Sequence, residues 1–324
     1  MTATSTEKKS MRDVFIGSVL KAMASRPDLY FLSADFGAPL LDEIRTRFPR
    51  QFINVGIAEQ NLINVSAGMA FEGMTVHAYA ISSFLATRAF EQVKINLSLH
   101  SQIRKFNVNL VGVGAGLSYD ISGPTHHCLE DICVVNSLPG ITLFSPSDWV
   151  LVEKFHDYAL RHKCPKYLRL DSKPVSALYD KRRGVKIADC FCELEKGKDV
   201  CIVSTGFMTH VALDAVKLAA KKGLRPGLID LFLLKPLSGR GLAKALSRYK
   251  KVITVEEGFV GKGGMDSIVS NLINEYCPAV KMKALGFRDR YVFERGDRAY
   301  LHKLYGIDAG SISGLVSRLA GGGK

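Results

Sequence analysis

Glu59 is the side chain in this sequence that is best placed to do chemistry. It follows the turn residue Gly56 and precedes a run of small and apolar residues that predicts a helix. If the fold buries this carboxylate, burial penalises its charged form and raises its pKa, so it could donate a hydrogen bond to a ligand nitrogen at neutral pH. The alternative is an ordinary acidic residue at a helix N-terminus, stabilised by the helix dipole.

Asp35 and His126 are further candidates. Asp35 follows a predicted strand at its carboxyl end, the edge where parallel sheets bind ligands, or else it caps a helix near residue 40. His126 lies in a loop that also contains Gly123 and Pro124, and it is either a structural residue or one that moves protons near neutral pH. The histidines and cysteines between His126 and Cys133 match no standard zinc spacing, so we assign no metal ligand.

Composition limits the classes of protein. The 324 residues are 47% hydrophobic and 23% charged, which predicts a globular protein with two domains of ordinary size. The net charge of +13 is spread along the chain without an aromatic-interleaved basic strip, so we expect no nucleic-acid partner. We also expect no membrane span and a cytoplasmic location, because apolar runs are short and the first ten residues are unlike a signal peptide. Seven scattered cysteines fit reduced thiols.

Apolar, β-rich runs alternate with segments of helical periodicity. The predicted strands cover residues 29–32, 76–79, 108–113, 141–144, 167–170, 200–203, 226–230 and 252–255. The predicted helices cover residues 11–24, 58–72, 84–100, 148–162, 209–222 and 239–248. This alternation predicts an α/β protein with mainly parallel sheets flanked by helices.

The pattern lapses once, in an irregular basic stretch near residues 175–195. We therefore predict a first domain at 11–175, a linker at 176–195 and a second α/β domain at 196–320. About ten residues at the start and the glycine-rich end from 321 to 324 are predicted to be disordered.

Two glycine clusters raise the question of nucleotide binding. Gly112, Gly114 and Gly116 follow a strand, but the third glycine comes one position early for a dinucleotide fingerprint and no helical pattern follows at once. Gly261, Gly263 and Gly264 precede a helical stretch, and close backbone packing explains them. No Gly-x-x-x-x-Gly-Lys-Ser/Thr loop occurs, so ATP hydrolysis has no support.

Three extended motifs resemble the C-terminal half of transketolase, in the family's order within residues 11 to 318. They are Val55-Gly56-Ile57-Ala58-Glu59-Gln60-Asn61 followed by Ser66-Ala67-Gly68-Met69-Ala70, then Ser83-Phe84-Leu85-x-x-Arg88-Ala89-Phe90-Glu91-Gln92, and Gly123-Pro124-Thr125-His126-His127-x-Leu129-Glu130-Asp131. The resemblance implies a pyrimidine-binding domain followed by a C-terminal α/β domain, and it implies thiamine diphosphate as cofactor.

The resemblance also implies roles for the candidates. Glu59 matches the glutamate that hydrogen-bonds a ring nitrogen of the cofactor's aminopyrimidine and favours its imino tautomer. Phe84 matches the aromatic residue that stacks beside this ring, and Phe90 either completes the apolar pocket or packs in the core. Asp35 matches an aspartate close to the cofactor. His126 matches a histidine that contacts substrate hydroxyls.

Recognition of the substrate departs from the family pattern. Arg12 and Arg169 match arginines that hold the substrate phosphate, although either residue alone would more often be a surface arginine. The family's phosphate-site serine and histidine fall at Pro39 and Gly114, and its hydroxyl-reading aspartate falls at Ser122. The donor is therefore expected to be anionic, and phosphorylated, sulfonated and other ketoses stay open.

The family's motif for magnesium and diphosphate, Gly-Asp-Gly followed by Asn, is not found. We therefore predict the C-terminal subunit of a split transketolase, with Mg²⁺ and the diphosphate held by an N-terminal subunit in an α2β2 tetramer. Alone, the chain should be inactive. The alternatives are the beta subunit of a 2-oxo acid dehydrogenase, a 1-deoxyxylulose-5-phosphate synthase-like enzyme, or a non-catalytic regulatory subunit. A nucleotide-binding oxidoreductase is the remaining option.

Overall fold

The fold is built on two mainly parallel sheets in the computed structural model, which describes residues 7–180 and 184–321. In chain order the strands are β1 (Lys8–Lys9), β2 (Leu29–Ser33), β3 (Phe52–Asn54), β4 (Thr75–Ile81), β5 (Asn107–Val113), β6 (Thr142–Phe144), β7 (Lys166–Leu170), β8 (Val175–Ser176), β9 (Phe191–Glu195), β10 (Val200–Ser204), β11 (Gly227–Leu231), β12 (Leu233–Lys235), β13 (Lys251–Phe259) and β14 (Lys281–Phe287).

Helices cover these sheets. They are α1 (Met11–Met23), α2 (Pro39–Arg47), α3 (Glu59–Phe71), α4 (Ser82–Thr87), α5 (Phe90–Gln92), α6 (Asp131–Asn136), α7 (Trp149–Arg161), α8 (Met208–Ala220), α9 (Gly239–Leu246), α10 (Met265–Tyr276), α11 (Arg298–Leu304) and α12 (Ala309–Ala320). A π-helical segment spans Val93–Leu99, and 3₁₀ turns cover His100–Gln102, Asp120–Ser122 and Ile187–Asp189.

The first sheet has seven strands in the order β12, β6, β7, β5, β4, β2 and β3. All neighbours pair in parallel except β12, which joins β6 antiparallel. Every residue of the central strand β5 is buried, as expected for a parallel strand covered on both faces. Because β12 comes from the second half of the chain, the two halves share this sheet.

The second sheet has the order β14, β13, β10, β11 and β9, with only the edge strand β9 antiparallel. The predicted fold class is therefore confirmed. Strand β9 lies inside the stretch predicted as a linker, and residues 181–183 of that stretch lie outside the described residues.

Two local predictions are wrong. The single helix predicted at 84–100 is divided into α4, α5 and the π-helical segment, because Ala89 leaves helical geometry at φ −97° and ψ 14°. The start of the chain was expected to be disordered to about residue 10, yet β1 pairs with β8. Residues 1–6 and 322–324 lie outside the described residues.

Within the described chain, no helix combines the length and apolarity needed to cross a membrane.

Candidate functional site

The carboxyl ends of β2, β3, β4 and β5 carry most of the predicted site residues. Asp35 follows β2, Glu59 follows β3, Phe84 follows β4, and the loop with His126 follows β5. These strands are parallel neighbours in the order β5, β4, β2 and β3, so their loops open on one edge of the sheet. This edge is where open α/β sheets bind ligands.

Glu59 is the first residue of α3, and only 3% of its surface is exposed. The turn before it contains Gly56 at φ 77°, a left-handed conformation that glycine adopts without strain. Glu59 is therefore both a helix N-terminal acid and a buried carboxylate, so the two interpretations of the sequence describe the same residue.

Arg88 is the partner of Glu59. Its Nη1 donates a hydrogen bond of 2.6 Å to Glu59 Oε2. Its guanidinium carbon also lies 4.7 Å from the centre of the Phe84 ring. The sequence predicted a buried carboxyl that donates to a ligand, whereas in this structure the carboxylate accepts from an arginine.

Phe84 and His126 are in ring contact. Their centroids are 5.4 Å apart at an interplanar angle of 72°, an edge-to-face arrangement. His126 also contacts Tyr119 edge to face at 6.4 Å, and its Nδ1 lies 3.0 Å from the hydroxyl of Thr125. Contacts therefore connect Glu59, Arg88, Phe84 and His126 into one cluster, which we call the Glu59 cluster.

Asp35 has a different local role from the helix cap that was considered. The N-cap of α2 is Ala38, and Asp35 lies in a left-handed turn at φ 52°. Asn54 stabilises this turn, since its Nδ2 donates to Asp35 Oδ1 at 2.8 Å and its Oδ1 accepts from the Asp35 amide. Asn54 Oδ1 also accepts from the Gly56 amide at 3.0 Å, which couples the Asp35 turn to the turn before Glu59.

A cleft of about 560 Å³ adjoins the Asp35 turn. Arg12, Asp35, Pro39, Arg45 and Asn54 are among the residues that line it. Arg12 donates through Nε to Asp13 at 2.8 Å. Pro39 begins α2 at the cleft, where it offers no side-chain hydrogen bond, as the sequence indicated.

Arg169 is placed differently from the prediction. Its side chain is only 5% exposed, and its Nε donates to both oxygens of Asp131 at 3.0 and 2.8 Å. Its Nη2 is directed at the carbonyl oxygens of Cys128 and Glu257. Arg169 is not among the residues that line the cleft with Arg12. Burial and protein acceptors hold its guanidinium inside the fold in this geometry. The phosphate-binding role expected for Arg169 stays a prediction.

Packing accounts for two other features. Phe90 is half-buried and packs against the main hydrophobic core, and its role in the cofactor pocket stays a prediction. Glycine is required at positions 114 and 116 by close approach, since a Cβ there would lie 2.3 Å from the Tyr119 ring and 2.1 Å from Glu257 Oε2. These glycines therefore need no nucleotide to explain them.

A buried ionic network joins the two domains, and the sequence did not reveal it. Arg298 donates through Nε to Glu257 Oε1 at 2.7 Å and through Nη1 to Asp171 at 2.6 Å. His302 contacts the same Glu257 oxygen at 2.5 Å. Burial alone would raise the pKa of Glu257, but Arg298 and His302 hold it well below its usual range. The segment around His302 was noticed as family-like, but its partner 45 residues away could not be inferred.

Within the described ranges, no three His, Cys, Asp or Glu side chains come together in a group that could hold a metal ion. In the loop with His126, the neighbouring His127 is buried, which lowers its pKa, and its Nε2 donates to the Asp120 carbonyl oxygen at 3.1 Å. It is a structural residue of that loop.

Comparison with family models matches both halves of the chain. Residues 7–175 match the model described as "Transketolase, pyrimidine binding domain", and residues 192–312 match "Transketolase, C-terminal domain".

Among curated proteins, the chain is 31% identical to an apulose-4-phosphate transketolase subunit of Actinobacillus succinogenes, over 95% of this chain and 98% of that protein. It is 27% identical to the 6-deoxy-6-sulfo-D-fructose transketolase subunit SqwH of a Clostridium species, over 94% and 93% of the two chains. A 1-deoxy-D-xylulose-5-phosphate synthase of Syntrophotalea carbinolica is also 31% identical, but the match covers 46% of that enzyme.

Among solved structures, the chain resembles one described as a split gene transketolase, an inactive beta4 tetramer. The TM-score is 0.85 at 28% identity, over 96% of this chain and 98% of that one. A transketolase from Pichia stipitis in complex with sedoheptulose 7-phosphate has a TM-score of 0.79 at 17% identity, over 98% of this chain and 46% of that one, and it shows the shared fold alone.

Proposed function

Since this chain belongs to the transketolase family, we propose that it is the C-terminal subunit of a two-subunit transketolase. It transfers a two-carbon ketol unit from an anionic ketose to an aldose, with thiamine diphosphate as cofactor. The observation that carries this proposal is the Glu59 cluster, in which a buried carboxylate and a half-buried aromatic ring lie together at the carboxyl edge of the sheet.

The cluster fits a pyrimidine ring. An aminopyrimidine is flat and aromatic. Its ring nitrogen accepts a hydrogen bond from a carboxylic acid in the amino form and donates one to a carboxylate in the imino form, so it needs a carboxyl group beside a ring face. Glu59 supplies the carboxyl group and Phe84 the ring, and the flat guanidinium of Arg88 contacts both. When bound, thiamine diphosphate supplies a nucleophilic carbon and an electron sink for the ketol fragment. Glu59 then holds the pyrimidine nitrogen and sets the proton position on the ring.

The substrate is proposed to lie between the Glu59 cluster and the cleft. His126 contacts the substrate hydroxyls and moves protons, and Arg12 binds the acidic group at the far end. Asp35 lies beside the cofactor and is held by Asn54. The names of two relatives specify a phosphate and a sulfonate sugar, so an anionic ketose is the shared chemistry. Arg45, which lines the same cleft, is a second cation available to that group.

A partner subunit is proposed to complete the site. Ile57 and Ile121 are 74% and 83% exposed, and they flank Glu59 and the loop with His126. Large apolar side chains beside a binding edge are typical of a surface that another chain covers. We propose that an N-terminal subunit with the diphosphate domain covers it, holds Mg²⁺ and forms an α2β2 assembly in the cytoplasm. The structural relative described as an inactive beta4 tetramer supports a requirement for a partner.

Reconstitution tests the proposal. The chain is purified alone and together with the diphosphate-domain chain of the same organism, and ketol transfer is assayed with phosphorylated, sulfonated and unmodified ketoses plus an aldose acceptor. We expect turnover only with both chains and only with anionic donors.

Two results would contradict the proposal. Condensation of pyruvate with glyceraldehyde 3-phosphate, in place of ketol transfer, would support the synthase alternative. A pair of chains that binds thiamine diphosphate without turning over any donor would support a regulatory role.

A further inference from the structure

We propose that Arg88 is an internal placeholder for the pyrimidine ring. Its guanidinium lies against Glu59 and Phe84 until the cofactor displaces it. This inference rests on the proposed function, because it takes the pyrimidine as the ligand of Glu59 and Phe84. It assigns Arg88 a positioning role that controls how readily the subunit accepts its cofactor.

The hydrogen bond is the first part of the argument. Glu59 is 3% exposed, so its carboxylate needs a partner whenever no ligand is present. Arg88 Nη1 provides that partner at 2.6 Å, to Oε2. A ring nitrogen of the cofactor that takes up this hydrogen bond must compete with the guanidinium.

Stacking is the second part. The Arg88 guanidinium carbon lies 4.7 Å from the centre of the Phe84 ring, over its face. His126 contacts the same ring edge to face at 5.4 Å. One face of the Phe84 ring, on which a pyrimidine could stack, is therefore covered by Arg88. One planar group thus makes both contacts that the pyrimidine requires, so the two cannot be present together in these positions.

Exposure makes the exchange feasible. The side chain of Arg88 is 42% exposed, so its charge can move into water without being stranded in the interior. Arg88 also caps α4 immediately before Ala89, where helical geometry is interrupted. The backbone near Arg88 is therefore not part of a continuous helix that would fix the direction of its side chain.

The placeholder has a cost for cofactor binding. Because the free subunit already satisfies Glu59 and Phe84, thiamine diphosphate must displace these contacts, and its observed affinity is reduced accordingly. Removing the guanidinium leaves the buried carboxyl group of Glu59 without an ionic partner in the free state, which makes binding of a ligand that forms a hydrogen bond with it more favourable. If Arg88 only supported the bound cofactor, its removal would instead weaken the binding of thiamine diphosphate.

Arg88→Met tests whether loss of the guanidinium strengthens or weakens cofactor binding. Methionine removes the charge and the hydrogen-bond donors but keeps much of the length of the side chain. Thiamine diphosphate is titrated by calorimetry, with Mg²⁺ and without substrate, into the complex with the diphosphate-domain chain. We expect a dissociation constant about three- to thirtyfold lower than that of the wild-type complex. The matched control is Arg104→Met, because Arg104 lies over Phe71 at 4.4 Å in a comparable cation–π contact away from Glu59.

The cofactor-free chain gives a second measurement. Unfolding free energies of Arg88→Met, Glu59→Gln and the double variant should be non-additive, because each single change removes the same ion pair. Equal or weaker cofactor binding by Arg88→Met than by wild type, or additive unfolding energies, would overturn the placeholder. A third outcome separates this proposal from the proposed function. If the wild-type complex does not bind thiamine diphosphate but the unfolding free energies are non-additive, the cofactor site and the placeholder role are both wrong, and only the ion pair between Glu59 and Arg88 is supported.

Discussion

Glu59–Arg88 and Glu257–Arg298 are two glutamate–arginine pairs with nearly the same hydrogen-bond lengths and different surroundings. Both carboxylates are 3% exposed, but the Arg88 side chain is 42% exposed whereas that of Arg298 is 6% exposed. Arg298 also has Asp171 as a second anion and lies over the Phe207 ring at 3.7 Å. The proposed exchange with a ligand uses the pair with an exposed arginine, whereas the enclosed pair lies within the second domain and is connected to the first domain through Asp171.

The largest effect is expected at the exchangeable pair, on activity. Glu59→Gln should lower turnover of the reconstituted enzyme by about 10²–10⁴-fold, because the pyrimidine nitrogen loses the group that sets its proton. Circular dichroism should show an intact fold. Glu72→Gln, an exposed change at the other end of α3, is the control. Turnover of Glu59→Gln within a few-fold of wild type would show that Glu59 has no role in activating the cofactor, and the two pairs would then not differ in function.

The enclosed pair should instead affect stability. Arg298→Met is expected to lower the free energy of unfolding by about 3–5 kcal/mol, because it removes the arginine shared by two buried anions and leaves Glu257 with His302 as its remaining side-chain partner from the network. Urea denaturation of the chain measures this loss. Arg290→Met serves as the control, since Arg290 pairs with Glu294 at the surface. A loss below about 1 kcal/mol, the range of exposed pairs, would remove the distinction between the two sites.

Asp230 is a buried carboxyl group whose hydrogen-bond donors are uncharged, so it differs from the two arginine-paired glutamates in how its effect on stability depends on pH. Burial raises the pKa of Asp230 to about 7, although Ser147, Tyr179 and Thr209 all donate hydrogen bonds to it. The pKa of Asp230 is therefore higher in the folded state than in the unfolded state, so the folded protein binds more protons than the unfolded chain between about pH 4 and 7. The contribution of Asp230 to stability falls as pH rises through that window.

Asp230→Asn removes this titration. The wild-type protein should lose stability relative to the variant by on the order of 2 kcal/mol between pH 4 and 7, since relaxation reduces the full effect of the shift. Urea denaturation at several pH values measures the difference. A difference that stays constant, or that grows in favour of wild type as pH rises, would show that Asp230 is ionised throughout.

The smallest effect is expected where both partners are exposed. Arg45 and Asp42 form a pair on α2 with side chains 67% and 74% exposed. Arg45→Gln should change the free energy of unfolding by less than about 0.5 kcal/mol, because water screens this pair. If the cleft binds the substrate anion, the same variant should raise the KM for anionic ketoses while leaving stability unchanged. An unchanged KM for anionic ketoses would exclude a charge-based role for Arg45 in substrate binding.

The elements that follow local pattern could be predicted from the sequence. The strands around residues 29, 76, 108 and 167 and the helices beginning near residues 11, 59 and 149 are confirmed within two residues, since burial on both faces of a parallel sheet leaves a continuous apolar run. The motif around Glu59 also identified a buried acid at a helix start. Chemistry at that residue stays a prediction.

Choices of partner could not be predicted in the same way. Arg88 stands four residues after Phe84, one helical turn away, and that spacing was the available signal for its contact with the ring. Its ion pair with Glu59 is 29 residues apart in sequence, and nothing local indicates it. Arg169 has the residue type of an anion ligand, but its burial and its ion pair with Asp131, 38 residues away, could not be inferred from the sequence.

Periodicity and motifs of neighbouring residues were enough to specify the α/β class and the family, and to place Asp35 at the carboxyl end of a strand. The tertiary structure was needed to show which arginine meets which carboxylate, and which of those pairs remains open to water. The strength and exchangeability of an ion pair depend on burial, and burial is set by elements that lie far apart in the chain.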